Sequence, residues 1–306
     1  MSGTRFIEIA KDPARLSLRT GCLVVQREGV PDVMVPVFEL SAVVLAHPRT
    51  SITQPAMDAL MGAGVPLLVC NASMLPSGLM LPLDGHSLQT QRMIAHAAMG
   101  LSLKKRVWQQ VVKTKILAQA VTLEGLHGDD GGLRNLAATV RSGDPKNVEA
   151  TAAQRYWPLV FRDPDFRRRF DAPGRNALLN YGYAILRACM ARAICAAGLH
   201  PSLGVHHHHR ENAFCLADDL FEPYRPLVDA EVAKISGESG LEPSLDSQSK
   251  LRLVELLELR LQIQASLPDM RSVSECMGAT AFSFAQSLGE PAASARLVYP
   301  LGLTQW

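Results

Sequence analysis

The stretch "LGVHHHHRENAFCLADDLFEPYRP", from Leu203 to Pro226, carries four of the chain's nine histidines in a row, His206 to His209, followed by Asp218, Asp219 and Glu222. A spacing of three puts Asp219 and Glu222 on one face if the segment is helical, and two converging carboxylates suit a hard divalent cation. The histidine tract follows Gly204 in a predicted loop or helix start, where one imidazole could complete a ligand set. A further contributor has to come from elsewhere in the chain. Glu149, in "DPKNVEATAAQRYWPLVF", is the best placed, in the first turn of a predicted helix with small and apolar neighbours. The helix dipole also favours an acid in that turn, so helix stability alone accounts for a glutamate there.

The elements that must position these residues fall into two textures. Up to about residue 85 the pattern is short and strand-like: "RFIEIA", "ARLSLRT" and "CLVVQRE" around Thr20-Gly21, "DVMVPVFELSAVVLAH", "VPLLVCN" and "GLMLPL", with Pro and Gly between them. One helix interrupts them, "SITQPAMDALMGAG", with Ser51 or Thr53 as its cap and Gly62 to Gly64 at its end. After "LDGHSLQTQ" the periodicity lengthens, and residues 89–124, 145–162, 175–197, 214–235 and 246–265 read as helices. Asp144-Pro145 supplies a cap and first-turn proline, and Gly198 closes the helix before it. The expected fold class is α+β: a β-rich N-terminal domain over 1–86, a linker at about 82–92, and a larger all-α catalytic domain over 92–306.

Composition narrows the partners. At 306 residues and 47% hydrophobic the chain can bury a sizeable core. No run approaches the roughly 18 apolar residues of a membrane span and the N-terminus lacks an apolar signal region, so the expectation is a cytoplasmic protein without a membrane partner. The six cysteines form no CxxC pair, which argues against a disulfide framework or a zinc ribbon. The overall charge of +2 conceals an uneven distribution: net −1 over residues 1–90, +10 over 91–210 and −7 over 211–306. The basic middle, with Lys104-Lys105-Arg106, Lys113, Lys115 and Arg167-Arg168-Arg169, could grip a polyanion through its phosphates, or be a solvated helix face.

Three segments, "NVEATAAQRYW", "GRNALLNYGYAILRACMARAICAAGLHPSLGVHHHH" and "FCLADDLFEPYRPLVD", resemble the signature segments of the CRISPR-associated integrase, the catalytic subunit of the spacer-acquisition complex, in the form found in type II systems. The resemblance runs in order over nearly the whole chain. It implies a metal site in which Glu149 and Glu222 match the family's two acids. The family's histidine stands three positions after the glycine of the "LG" turn, which selects His207, with His206 as the alternative one residue away. Asp219 matches a second acidic position in or just outside the metal's reach. Asn176, Asn180, Tyr181 and Tyr183 match a helix packed beside the site. Four histidines exceed the family's need, and the remainder are expected to face solvent or DNA. Tyr156, Trp157 and Trp108 are open to two readings, stacking on splayed bases or filling the core.

The activity so implied is metal-dependent strand transfer, in which a protospacer 3′-hydroxyl attacks the border of a CRISPR repeat with Mg²⁺ or Mn²⁺ as cofactor. Carboxylates suit either ion, and an imidazole tilts the preference toward Mn²⁺. Implied partners are double-stranded DNA, a second copy of the chain joined through the β-rich domain, a small ferredoxin-like second adaptation protein, and the type II effector nuclease. Two other classes compete. A zinc-dependent hydrolase would use histidines and carboxylates, but HHHH lacks the HExxH spacing. A non-catalytic nucleic-acid scaffold would explain the basic segment without explaining Glu149, His207 and Glu222.

Overall fold

The computed structural model describes residues 5–71, 76–83, 86–239, 242–263 and 270–304. The chain separates into two compact units, Met1–His86 and Ser87–Trp306. Asp84 and Gly85, within the expected linker, lie outside the described residues.

The first unit holds two four-stranded sheets. In one, β1 (Arg5–Ile9), β5 (Leu40–Leu45) and β7 (Leu67–Cys70) run parallel, and β8 (Pro76–Met80) pairs antiparallel with β7. In the other the order is β4 (Val30–Pro36), β3 (Cys22–Arg27), β2 (Arg15–Arg19), β6 (Ser51–Ile52). The β2–β3 hairpin shows local sequence at work. Arg19 pairs with Cys22, so Thr20 and Gly21 alone make the turn, both at positive φ (46° and 74°). That is the two-residue geometry whose twist matches paired strands, and glycine takes it at little cost. Alternation along the strands then sends Leu16 and Leu23 into a core shared with Val35, Val43, Leu67 and helix α1 (Gln54–Gly62), which contributes Ala56 and Leu60.

The second unit is mainly helical. The predicted helix over 89–124 is two helices, α2 (Gln89–Ala97) and α3 (Leu101–His127), because Gly100 caps the second in an extended conformation. At 27 residues α3 spans about 40 Å. It ends at Gly128, whose left-handed φ of 79° lets its N–H return to Glu124. The short α4 (Leu133–Thr139) and then α5 (Val148–Val160) pack against it. The buried helix α6 (Arg175–Ala196) packs on α7 (Cys215–Phe221), on α8 (Arg225–Ser239) across a 3-10 turn (Glu222–Tyr224), on α9 (Ser247–Glu255) and on α10 (Val273–Ser287). Gly182 makes the α6–α8 approach possible, since a Cβ there would lie 2.5 Å from Val228 Cγ1.

This unit is not wholly helical. The predicted helix over 246–265 stops at Glu255, and after a 3-10 turn the chain forms β9 (Arg260–Gln262), paired antiparallel with β10 (Met270–Ser272). The leucines of this stretch satisfy helical spacing at first, but Leu259, Leu261 and Ile263 alternate with polar residues, and the period of two prevails. Residues 264–265 of the predicted helix lie outside the described residues. Among the described residues no helix is long and apolar enough to cross a membrane.

Candidate active site

Glu149 is delivered by the start of α5, which is built with care. Asp144 and Asn147 both adopt left-handed backbone conformations (φ 45° and 51°). Asp144 then accepts hydrogen bonds from Val148 N (2.9 Å) and Glu149 N (3.0 Å). Asp144 is not the N-cap residue as predicted: Asn147 holds that position, the helix begins at Val148, three residues later than the expected 145, and Pro145 precedes its first turn, while Asp144 still bonds its first two amides. Two of the first-turn amides that have no partner within the helix are thereby satisfied, and Glu149 is aimed back toward α3.

There it meets Lys115. The Lys115 Nζ lies 2.5 Å from Glu149 Oε1 and 2.7 Å from Glu222 Oε2. Arg225 Nη2 takes the other Glu222 oxygen at 2.9 Å. Burial opposes the charge on Lys115, but the carboxylates of Glu222 and Glu149 outweigh it and hold the ammonium pKa above its ordinary value. Burial likewise opposes ionisation of Glu222, and Arg225 and Lys115 overcome it and hold its carboxyl below the usual range. Glu222 therefore presents negative charge at neutral pH, and the Glu149 carboxylate faces the same cation position.

The histidine loop is held from beneath. Asp219, fully buried, accepts Val205 N (2.6 Å) and His206 N (2.9 Å) on Oδ2, and His207 N (3.3 Å) together with His207 Nδ1 (2.5 Å) on Oδ1. That last bond is the first cause of a raised His207 pKa, and Glu222 and Glu149 add to it from a distance. With Nδ1 committed to a carboxylate, Nε2 is the ring nitrogen left to bind a cation, the orientation that carboxylate–histidine pairs provide at metal centres. Gly204 is required by the same loop: a Cβ would fall 2.1 Å from the His207 carbonyl oxygen.

His206 points elsewhere. Its ring stacks on Trp108 of α3, centroids 4.0 Å apart and planes within 3°, while His207 meets the same indole edge-on at 5.7 Å. All four histidines of the tract are exposed. Burial, followed by the neighbouring His207, pushes the His206 pKa down. The tract thus divides by contact: His207 pairs with Asp219, His206 stacks on Trp108, and His208 and His209 share neither contact.

Other expected site residues lie off this centre. Asp218 is bound by Arg187 Nε (2.7 Å) and Asn212 Nδ2 (2.6 Å). Asn176 and Asn180 face the 167–170 segment. Asn176 Oδ1 accepts Arg168 Nη1 and Arg169 N, and Asn180 accepts Arg168 Nη2 at 2.5 Å and donates to Phe170 O. They shape the basic Arg167-Arg168-Arg169 segment and not the acids. Tyr156 and Tyr183 both donate to Asp229. Tyr156 and Trp108 are 0% and 3% exposed, so neither has a face for a base, and Trp157 packs among Tyr156, Phe161 and Phe166.

Lys115 is the residue that sequence reasoning passed over. It counted among the basic residues, and its one signal was position: it lies seven residues after Trp108, two helical turns along the same face of α3.

The donor set fits a divalent cation in one specific respect. Two carboxylate oxygens from separate elements, Glu149 Oε1 and Glu222 Oε2, already converge on a single positive charge, Lys115 Nζ. As the side chains stand, however, no group of three or more His, Cys, Asp and Glu among the described residues is arranged to hold a metal ion. Lys115 separates the glutamates, and Asp219 retains one nitrogen of His207.

A strand-rich unit followed by a mainly helical unit is a fold this chain shares with solved structures. A casposase bound to integration product superimposes over 98% of this chain and 93% of its own, with a TM-score of 0.76 at 18% identity. A chain of a Cas6-RT-Cas1–Cas2 complex matches over 98% of this chain and 36% of its own greater length, with a TM-score of 0.71 at 17% identity. In sequence, the model of the CRISPR associated protein Cas1 family matches residues 7–250. The CRISPR-associated endonuclease Cas1 of Neisseria meningitidis serogroup C (strain 8013) is 35% identical over 258 residues, 84% of each chain. The chain belongs to the Cas1 family, and its class is that of a CRISPR-associated endonuclease and integrase.

Proposed function

We propose that this chain joins protospacer DNA to a CRISPR array by metal-dependent strand transfer, with Glu149, His207 and Glu222 as the ligands of Mg²⁺ or Mn²⁺. The observation that carries the reading is the convergence of two glutamates, from segments 73 residues apart, on a single cation position beside an imidazole whose outer nitrogen is oriented by Asp219. When bound, the ion would polarise the scissile phosphodiester and favour a 3′-hydroxyl as nucleophile. The protein's own groups do the remainder. Asp219 fixes the His207 ring, Trp108 with His206 fixes its loop, and Arg225 keeps Glu222 ionised. The basic stretch from 91 to 210, including the Arg168 held by Asn176 and Asn180, grips phosphates largely without regard to sequence.

The integration product in the casposase structure and the Cas2 subunit in the neighbouring complex support double-stranded DNA and a small second adaptation protein as partners. To the unit over residues 1–86 we assign homodimer formation, to the residues around 82–92 the role of linker, and to the type II effector nuclease a place in the assembly. We assign the reaction to the cytoplasm.

The test is to incubate the protein with a short duplex, a Cas2-type partner and supercoiled plasmid carrying the repeat, with Mn²⁺, with Mg²⁺ and with chelator. Covalent joining of duplex to plasmid only when a divalent ion is present is the expected result. Joining that persists in chelator overturns the metal assignment, and tightly bound zinc in the purified protein would favour a hydrolase.

A further inference from the structure

Lys115 is a poor match for an ordinary structural ion pair. It reaches from the middle of α3 into a pocket it shares with two carboxylates from separate elements, and its side chain is only 13% exposed. It donates to Glu149 Oε1 and stands 2.7 Å from Glu222 Oε2, so one ammonium holds both carboxylates. The ammonium is thus a single charge standing at a point where the two oxygens nearest it could accept more.

The charges around that point make the position exchangeable. Two carboxylates face Lys115 and Arg225, and of these two cations only Arg225 is anchored elsewhere, with its guanidinium 4.6 Å from the Phe221 ring centroid and 4.9 Å from that of Tyr183. Lys115 is a compact charge on a flexible four-carbon stem, able to leave the pocket while its backbone stays in the helix. A divalent ion between Glu149 and Glu222 would supply all the charge that Lys115 now supplies and more, and the two cations could not share so small a space.

We infer that Lys115 is the resident counter-ion of this site: it holds Glu149 and Glu222 together for a divalent cation and is displaced when that cation enters. This rests on the reading of those glutamates as ligands. Lys115 is therefore a positioning residue whose removal makes metal binding tighter, the reverse of what loss of a ligand does. The expelled ammonium, carried by the most basic segment of the chain, becomes available to a DNA phosphate.

The experiment measures Mn²⁺ binding to the full-length, DNA-free protein, from the electron paramagnetic resonance signal of unbound Mn²⁺, for wild type, Lys115→Met, Lys115→Arg, Glu149→Gln and Glu222→Gln. Lys115→Met should bind Mn²⁺ about tenfold tighter than wild type, since an opposing charge has been removed. Lys115→Arg, which retains the charge, should bind no tighter than wild type. Equal or weaker binding by Lys115→Met overturns the inference. Loss of Mn²⁺ binding in both glutamine variants alongside an unchanged Lys115→Met defeats the counter-ion alone, whereas retained binding in the glutamine variants defeats the metal site itself. Because Lys115→Met leaves Glu149 without its ion-pair partner and Glu222 with Arg225 alone, and could fail to fold without metal, wild type supplies a second measurement. Acetylation of Lys115 by acetic anhydride, read by mass spectrometry, should rise several-fold when chelator is replaced by Mn²⁺. Labelling that stays level or falls means the ammonium is not displaced, and the inference fails.

Discussion

Two buried carboxylates seven residues apart, Glu222 and Asp229, have their pKa values pushed in opposite directions by their surroundings. Glu222 faces an ammonium and a guanidinium and is held below the ordinary carboxylate range, so its charge is available to a cation. Asp229 faces the hydroxyls of Tyr156 and Tyr183, and burial pushes its pKa up to about 6 despite those bonds and the more distant Arg225 and Arg168. Phenol hydrogen bonds satisfy the oxygens without supplying full positive charge, so they offset less of the desolvation cost. The lesson is that burial and acidity alone do not mark a metal ligand. The charge of the groups facing the acid does. By this criterion Asp229 is a joint between α5, α6 and α8, and Glu222 belongs to the chemistry.

The largest expected effects would break that comparison if they failed to appear. Glu149→Ala, Glu222→Ala and His207→Ala should each lower strand transfer by about a hundredfold or more while leaving DNA affinity largely intact, since phosphates are gripped elsewhere. Transfer assays at saturating DNA, with binding measured in parallel, check this, and near-normal transfer in any one removes that residue from the site. Asp229→Ala should do the reverse, costing about 2–4 kcal/mol of stability in urea titrations by stranding two phenols, with transfer by the folded fraction preserved.

A smaller and more diagnostic effect lies in pH. Asp229 binds its proton more tightly folded than unfolded, so its contribution to stability is fully present below pH 3.8 and is lost as pH rises to about 6. The loss amounts to about 3 kcal/mol. Asp229→Asn should remove this falling component from the stability–pH curve. Glu222 contributes in the other direction: its depressed pKa gives stability present above pH 4.5 and lost as pH falls through the folded value, so Glu222→Gln in chelator should remove a rising component on the acid side. Curves of the same shape for both variants would abolish the distinction drawn between the two acids.

The smallest effect concerns the histidines. His206→Ala should cost about 0.5–1.5 kcal/mol through the lost stack on Trp108 and reduce transfer modestly, whereas His208→Ala and His209→Ala should affect at most DNA affinity. An inactive His206→Ala paired with an active His207→Ala would shift the ligand by one residue.

Much of this architecture was legible from local pattern. The hairpin at Thr20-Gly21, the strand segments up to residue 80, Gly198 closing α6 and the first-turn position of Glu149 all follow from turn chemistry, alternation and capping, which act over a few residues. The capping box of α10, Ser272 with Glu275, was equally local and went unread, although its S-x-x-E signature is present in the sequence. The Arg260–Ile263 stretch misled because its leucines satisfy a helical and an alternating period at once.

By itself, then, the sequence determined most strands of the first unit and the longer helices of the second as far as α8, the two-textured division of the chain, the one-face spacing of Asp219 and Glu222, and a family resemblance specific enough to nominate Glu149 and His207. Only the tertiary structure decided what each of those side chains faces. It tied Asp219 to the histidine loop and not to the acids, stacked His206 on Trp108, and set Lys115 between glutamates 34 and 107 residues away in the chain. The physical reason is that periodicity and capping are local and orient a side chain only relative to its own element, while the field that decides whether a buried carboxylate stays charged comes from groups brought together by packing.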